Sequence, residues 1–516
     1  MQDITAPAEE PLSRNIPDVD AFADAPASVM PAGVKSVMRA TVVAPQLTLP
    51  TGAAGDSAHA GGLFPMSFGA GLVWYTARTD GGAQQYFALT TRGPTLPGPT
   101  VLDGAGNPIQ SRYCLTPVFQ PRIMRLEVSE NASRTLAPVM LANDEGKPLY
   151  GLPPRGSVTE TALSLANDRL SGSERSIAPE GLARAADGTF WIVDGFTSSL
   201  RQFSAMGVER SMLVPGDGLP ACLEARLGVL RGLTTLSDGR LLTIDRTGFG
   251  VPGAIGVVVA NPATKTSAAY LLQTATPGEQ PQDVAALADG TVLMLVRVPT
   301  TPLETQEVSA SMGLRLLRLD FSAAEDISGL TREALDNPEG MSDKGLRVTV
   351  VLSEEDFAQL GVTPDDAAVM RGMTLMPDGA TVAMITENRF GARIHVEHRT
   401  DGVAEGAETG SEAIRHYVLD REGEVTLEGV KSEDRFIVTR LDPAKALTQL
   451  LQIAFEKPFV MPQGAAAHEV SEETLATEVK TPATAEALES PESTASTETT
   501  ETPLSPCTLK ENATGD

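Results

Sequence analysis

Four Asp-Gly dipeptides constrain this chain more than any other feature, because each sits in the same local frame. Gly181-Leu182-Ala183-Arg184-Ala185-Ala186-Asp187-Gly188 leads into Thr189-Phe190-Trp191-Ile192-Val193-Asp194. The frame returns from Gly232 to Asp245, from Asp283 to Val296 and from Gly372 to Ile385. An Asp-Gly pair between apolar, β-prone runs favours a tight hairpin, since its turn needs positive φ. The turns at Asp187, Asp238 and Asp289 are 51 residues apart twice over, and the fourth, at Asp378, follows after 89, as one insertion would produce. A degenerate earlier copy centres on Asp80-Gly81, with Tyr86 to Leu89 as its second strand. Hairpin units at this period mark propeller blades. A β-sandwich would explain the strands but not their equal spacing. The predicted fold is therefore all-β: a β-propeller of six or seven blades with helical and loop insertions and a disordered C-terminal tail.

Three regions follow from composition. Residues 1–34 are rich in Pro, Ala and Asp and read as an extended leader, with β-like sequence from Val34 to Leu49. Residues 35–462 form the propeller domain. Residues 463–516 are almost entirely Thr, Glu, Ala, Ser and Pro, too polar to offset the entropy of ordering, and read as a disordered tail. Between residues 303 and 370, the stretches Glu325–Leu335 and Ser353–Leu360 have helical composition, and Ser353 followed by Asp356 resembles a helix start. Residues 392–412 read as a long polar loop.

The formal net charge of −27 opposes binding to nucleic acid or anionic membrane, and no apolar run is long enough to span a bilayer. The same charge suits divalent cations. Three cysteines exclude a disulfide scaffold, although Cys114 and Cys222 could pair, and the five histidines are too scattered for a zinc site. The polar start Met1-Gln2-Asp3 has no apolar signal core, so either the chain is cytoplasmic or Met1 replaces a removed signal. A Gly-x-Ser-x-Gly nucleophile elbow is absent.

Pro179-Glu180-Gly181-Leu182, Asp187-Gly188-Thr189-Phe190-Trp191-Ile192-Val193-Asp194 and Ser199-Leu200-Arg201-Gln202-Phe203 together resemble the phytase-like family with esterase-like activity. Arg231-Gly232-Leu233, Arg371-Gly372-Met373 and Tyr86 to Pro94, which contains Arg92, extend the likeness to roughly residues 60–440. The resemblance implies an esterase-like hydrolase, Ca²⁺ as a cofactor, and a periplasmic or secreted location. The residue before each blade-opening Gly is typically Glu in that family. Here those positions hold Glu180, Arg231 and Arg371, with Gln282 at the parallel place, and family acids are also missing at Ala178, Gly195 and Thr91.

Blade-opening strands line a propeller's channel, so equivalent residues should converge at one mouth. Two readings result. In one, Glu180, Asp194 and Asp245 are catalytic, Glu180, Asp194 and Glu387 hold a metal, and Arg231, Arg371 and Arg92 receive an anionic phosphate or other ester. In the other, the arginines and carboxylates satisfy one another, and the propeller binds a protein, glycan or small ligand without catalysis.

Overall fold

The computed structural model describes residues 30–48, 63–78, 82–98, 101–102, 108–129, 132–157, 160–164, 168–223, 229–300, 311–330, 346–397, 435–440 and 446–460. The chain divides into two units, residues 1–462 and 463–516, and the expected tail, like the leader up to residue 29, lies outside the described residues.

Each repeat folds into a four-stranded antiparallel sheet. The first blade orders Phe68–Ala77, Gln84–Thr90, Arg122–Val128 and Ser133–Met140 outward. The second runs Pro179–Arg184, Phe190–Asp194, Ser199–Phe203 and Glu209–Pro215, with a short further strand at Gly218–Leu219. The third is built from Leu230–Thr235, Leu241–Asp245, Ala254–Asn261 and Thr266–Gln273, the fourth from Gln280–Ala286, Val292–Pro299, Met312–Asp320 and Arg347–Leu352. In the fifth, Met370–Leu375 and Thr381–Thr386 are followed by Thr448–Phe455, and the outermost strand is the N-terminal Val34–Val42. Hydrogen bonding between the first and last strands among the described residues thus completes one sheet. The degenerate repeat is real: its two strands pair, with Tyr86 opposite Trp74, while Asp80-Gly81 lies outside the described residues.

The five first strands lie side by side in sequence order, and the fifth returns beside the first. An apolar layer fills every junction, for example Phe87, Leu89, Leu182 and Ile192 between the first and second blades, and Val42, Phe68, Ile385 and Leu450 between the fifth and first. Burying each such side chain contributes about 1.5–3 kcal/mol.

Five sheets of this kind are present among the described residues, where the sequence led us to expect six or seven. Further described strands lie outside these five sheets. Thr95–Pro97, Pro108–Cys114 and Glu160–Leu163 make a small separate sheet, and Ala392–Glu397 pairs with Arg435–Arg440. That second pairing corrects the long loop expected at residues 392–412. Its start is a strand because Ile394 and Val396 alternate with polar residues, while residues 398–412 lie outside the described set.

The helix expected at Glu325–Leu335 is absent over residues 325–330. There the chain instead caps the third blade, with Ile327 N–H donating to Ala269 O and Ala269 N–H donating to Asp326. The second expected helix forms at Glu354–Gln359 with a reciprocal Ser353/Asp356 capping box, and a further short helix at Pro364–Val369 uses Thr363 and Asp366 the same way. Cys114 and Cys222 form no disulfide with each other, so the possible bridge is not made.

Near the axis the first strands approach closely. A Cβ on Gly181 would lie 2.7 Å from the backbone of Gly232, and one on Gly232, which has φ +65°, would lie 2.9 Å from Cα of Asp283. The blade-opening glycines of the repeat are therefore required by contact between blades, in addition to any turn they begin.

Candidate functional site at the channel mouth

Residues opening the first strands and closing the second strands meet at the end of the propeller opposite the Asp-Gly hairpins. Glu180, Arg231, Gln282 and Arg371 occupy equivalent places in four consecutive blades, and they converge as the repeat predicts. One carboxylate oxygen of Glu180 takes Arg371 Nη2 at short range and Arg231 Nη2 at 3.2 Å. Arg371 Nη1 donates to Glu387 at 2.5 Å, and Arg231 Nη1 donates to Gln282 Oε1 at 3.1 Å. Both guanidinium groups are buried, with Arg231 and Arg371 each 3% exposed, whereas the Glu180 side chain retains 24% exposure. The cluster is an alternating chain of charge, Glu387–Arg371–Glu180–Arg231, ending on Gln282, with Glu180 as its most exposed member.

The other sequence-selected carboxylates are placed differently. Asp194 is 1% exposed and accepts from the backbone N–H groups of Ala178 and Phe196, the Thr197 hydroxyl and Arg201. Burial pushes its carboxyl above the ordinary range, against the pull of Arg201 and the two N–H donors. Asp245 likewise accepts from Thr247 N–H, the Thr247 hydroxyl and Phe249 N–H. Both aspartates fold the loop that follows a second strand, and Asn388 does the same through Phe390 N–H. These oxygens are used by turn donors, which is why Asp recurs seven residues after two of the Asp-Gly turns.

Arg92 lines the wall beside this cluster, its guanidinium 5.1 Å from the Phe196 ring centre. It grips Glu160 through two bonds of 2.7 and 2.9 Å, and Arg112 reaches the same carboxylate at 3.2 Å. Burial would raise the Glu160 carboxyl, but Arg92 and Arg112 outweigh it and hold it below the usual range. Burial also pushes the neighbouring Cys114 thiol up to about 11, which leaves it protonated near neutrality.

Two residues outside the sequence-based selection shape the site. Asp283 stands where the other repeats carry Gly181, Gly232 and Gly372. Its carboxyl receives Leu233 N–H at 3.3 Å, Val284 N–H at 2.9 Å and Met373 N–H at 2.8 Å, joining three blades at the axis. The break in the glycine pattern was the available signal. Arg201, which neutralises Asp194 and also pairs with Glu209, carried no comparable one.

The expected metal ligands Glu180, Asp194 and Glu387 thus each have other partners. Among the described residues, no group of three or more His, Cys, Asp or Glu is placed to hold a metal ion. Bound guanidinium and N–H donors occupy the directions a hard cation would need, so these side chains do not fit a calcium site. The described residues also contain no helix long and apolar enough to cross a membrane.

A family model for phytase-like proteins, described as "esterase-like activity of phytase", matches residues 118–386, more than half of the chain. The chain belongs to the phytase-like family. The matched span contains Glu180, Asp194, Arg231, Asp245 and Arg371, and membership makes the protein an esterase-like, hydrolase-type propeller at family level. No curated protein sequence matches it. Among solved structures, a catalytically inactive virginiamycin B lyase from Staphylococcus aureus is 12% identical, with TM-score 0.26, covering 68% of this chain and 97% of that one. A gluconolactonase from Xanthomonas campestris is also 12% identical, with TM-score 0.25, over 67% of this chain and 85% of its own. A nidogen/laminin complex chain is 10% identical, with TM-score 0.26, over 62% and 85%.

Proposed function

We propose that this phytase-like propeller acts as a ligand-binding module, in an envelope or extracellular setting, and that its Glu180 cluster does not carry cation-dependent ester hydrolysis. The observation behind this reading is the clamping of Glu180 between Arg371 and Arg231, with Glu387 completing the neutralisation. A carboxylate held by two buried guanidinium groups is a weak metal ligand and a weak general base, since both tasks need a free lone pair. Asp194 and Asp245, committed to their loops, offer no replacement.

Ester hydrolysis is the second reading, and family membership favours it. Glu180 would then act from its partly exposed position, with Arg231, Arg371 and Arg92 polarising a phosphate or other ester. Calcium titration by calorimetry, run alongside hydrolysis of p-nitrophenyl phosphate and p-nitrophenyl acetate, separates the two. The binding reading expects no saturable calcium heat and no turnover above buffer. Saturable heat together with turnover, both lost in Glu180→Gln, would replace it with the hydrolase.

A further inference from the structure

At the hairpin end of the propeller, opposite Glu180, the charge pattern changes. The Tyr75 ring at the end of the first blade's inner strand carries two guanidinium groups, Arg125 at 5.4 Å and Arg184 at 5.1 Å from its centre. Arg184 also lies 5.9 Å from the Phe87 ring, which itself packs 4.9 Å from Tyr75. These arginines are fixed by aromatic faces, where Arg231 and Arg371 are fixed by carboxylates.

Their hydrogen-bonding capacity is largely unspent. Arg125 donates from Nη2 to Gln85 at 3.1 Å, while its Nε is buried with no acceptor among the described residues. The Nε of Arg184 is buried without an acceptor as well. The nearby acid is already engaged: Glu127 accepts from Gln85 at 2.9 Å and pairs with Arg134 at 2.7 Å and Arg78 at 3.5 Å. Asp187 acts on Arg184 only through its field. Arg125, which shares Gln85 with Glu127, and Arg184 therefore have no carboxylate paired to them among the described residues, on a chain of net charge −27. Burial also works against the charge on Arg184, lowering its pKa. A bound anion would restore the balance.

We propose that the half-exposed cluster of Tyr75, Arg125 and Arg184 is an oxyanion-binding site for a carboxylate or phosphate group, separate from the channel mouth. The guanidinium groups supply paired N–H donors, the geometry that both anions accept. Tyr75 holds the donors in place, so little side-chain entropy is lost on binding.

The test uses the full chain at low ionic strength, titrated calorimetrically with inorganic phosphate in one arm and succinate in the other, and with chloride as the ionic-strength control. Saturable binding of either oxyanion, weakened at least tenfold by Arg184→Gln and by Arg125→Gln but unchanged by Arg240→Gln, is the expected result. Arg184→Lys keeps the charge and should retain part of the affinity, which guards against a folding defect in the glutamine variant. Circular dichroism melting of every variant checks the fold directly. No saturable heat from phosphate or succinate, or equal binding by folded wild type and Arg184→Gln, overturns the proposal.

Discussion

Glu180→Gln tests the neutralised cluster directly, because it removes one charge while nearly preserving shape. In the wild type Glu180 faces two guanidinium groups, each 3% exposed. After substitution Glu387 still opposes Arg371 and Gln282 still accepts from Arg231, but the charge the two guanidinium groups share is gone. Breaking a fully buried ion pair costs about 3–5 kcal/mol. The 24% exposure of Glu180 admits some water, and the glutamine oxygen still accepts a hydrogen bond, so we expect a loss of about 2–3 kcal/mol. Urea unfolding at pH 7 measures it as a lower midpoint at unchanged slope. A double-mutant cycle with Arg371→Met should give a coupling of about 1.5–3 kcal/mol. The loss should persist in 0.5 M NaCl, because buried pairs are poorly screened. A loss below about 0.5 kcal/mol, or independent effects of the two substitutions, would refute the buried-network reasoning.

Three further outcomes follow from the same geometry. Gly181→Ala places a methyl 2.7 Å from the Gly232 backbone and should cost about 3 kcal/mol by chemical unfolding, since backbone cannot yield as a side chain does. Asp194→Asn leaves the loop donors a partner but removes charge opposite Arg201, whose remaining acid is Glu209; a loss of about 1–3 kcal/mol is expected, read the same way. Asp283 gives a pH signature, because burial pushes its carboxyl from 3.8 to about 8 despite three N–H donors and Arg371. The folded form then holds the proton more tightly than the unfolded form, so the stability this group contributes is full below about pH 4 and is lost as pH rises through about 8. Asp283→Asn should remove that component, up to about 1.4 kcal/mol per pH unit, from a stability profile measured between pH 4 and 9.

Blade structure was legible because it is local. An Asp-Gly turn, its flanking apolar strands and the next copy 51 residues on are all written within one stretch of chain, as is the Ser353 capping box. The blade count was not legible, since nothing local distinguishes an inserted sheet such as Pro108–Cys114 from one more blade. The helix expected near Glu325 failed for a related reason: Asp326 and Ile327 gain more by capping Ala269, 57 residues away for Asp326, than their propensities offer.

The sequence by itself determined which positions would meet at the mouth, because a repeat places Glu180, Arg231, Gln282 and Arg371 at one height in successive blades. Only the tertiary structure decided what each of them does there. Arg371 and Glu180 are 191 residues apart, and their pairing depends on the ring returning the fifth blade to the first. Carboxylates of the repeat were sorted by their surroundings into a clamped ion pair, two loop caps and a buried axial staple. That sorting is electrostatic: each carboxylate is claimed by whichever donors the packed blades bring within hydrogen-bonding distance.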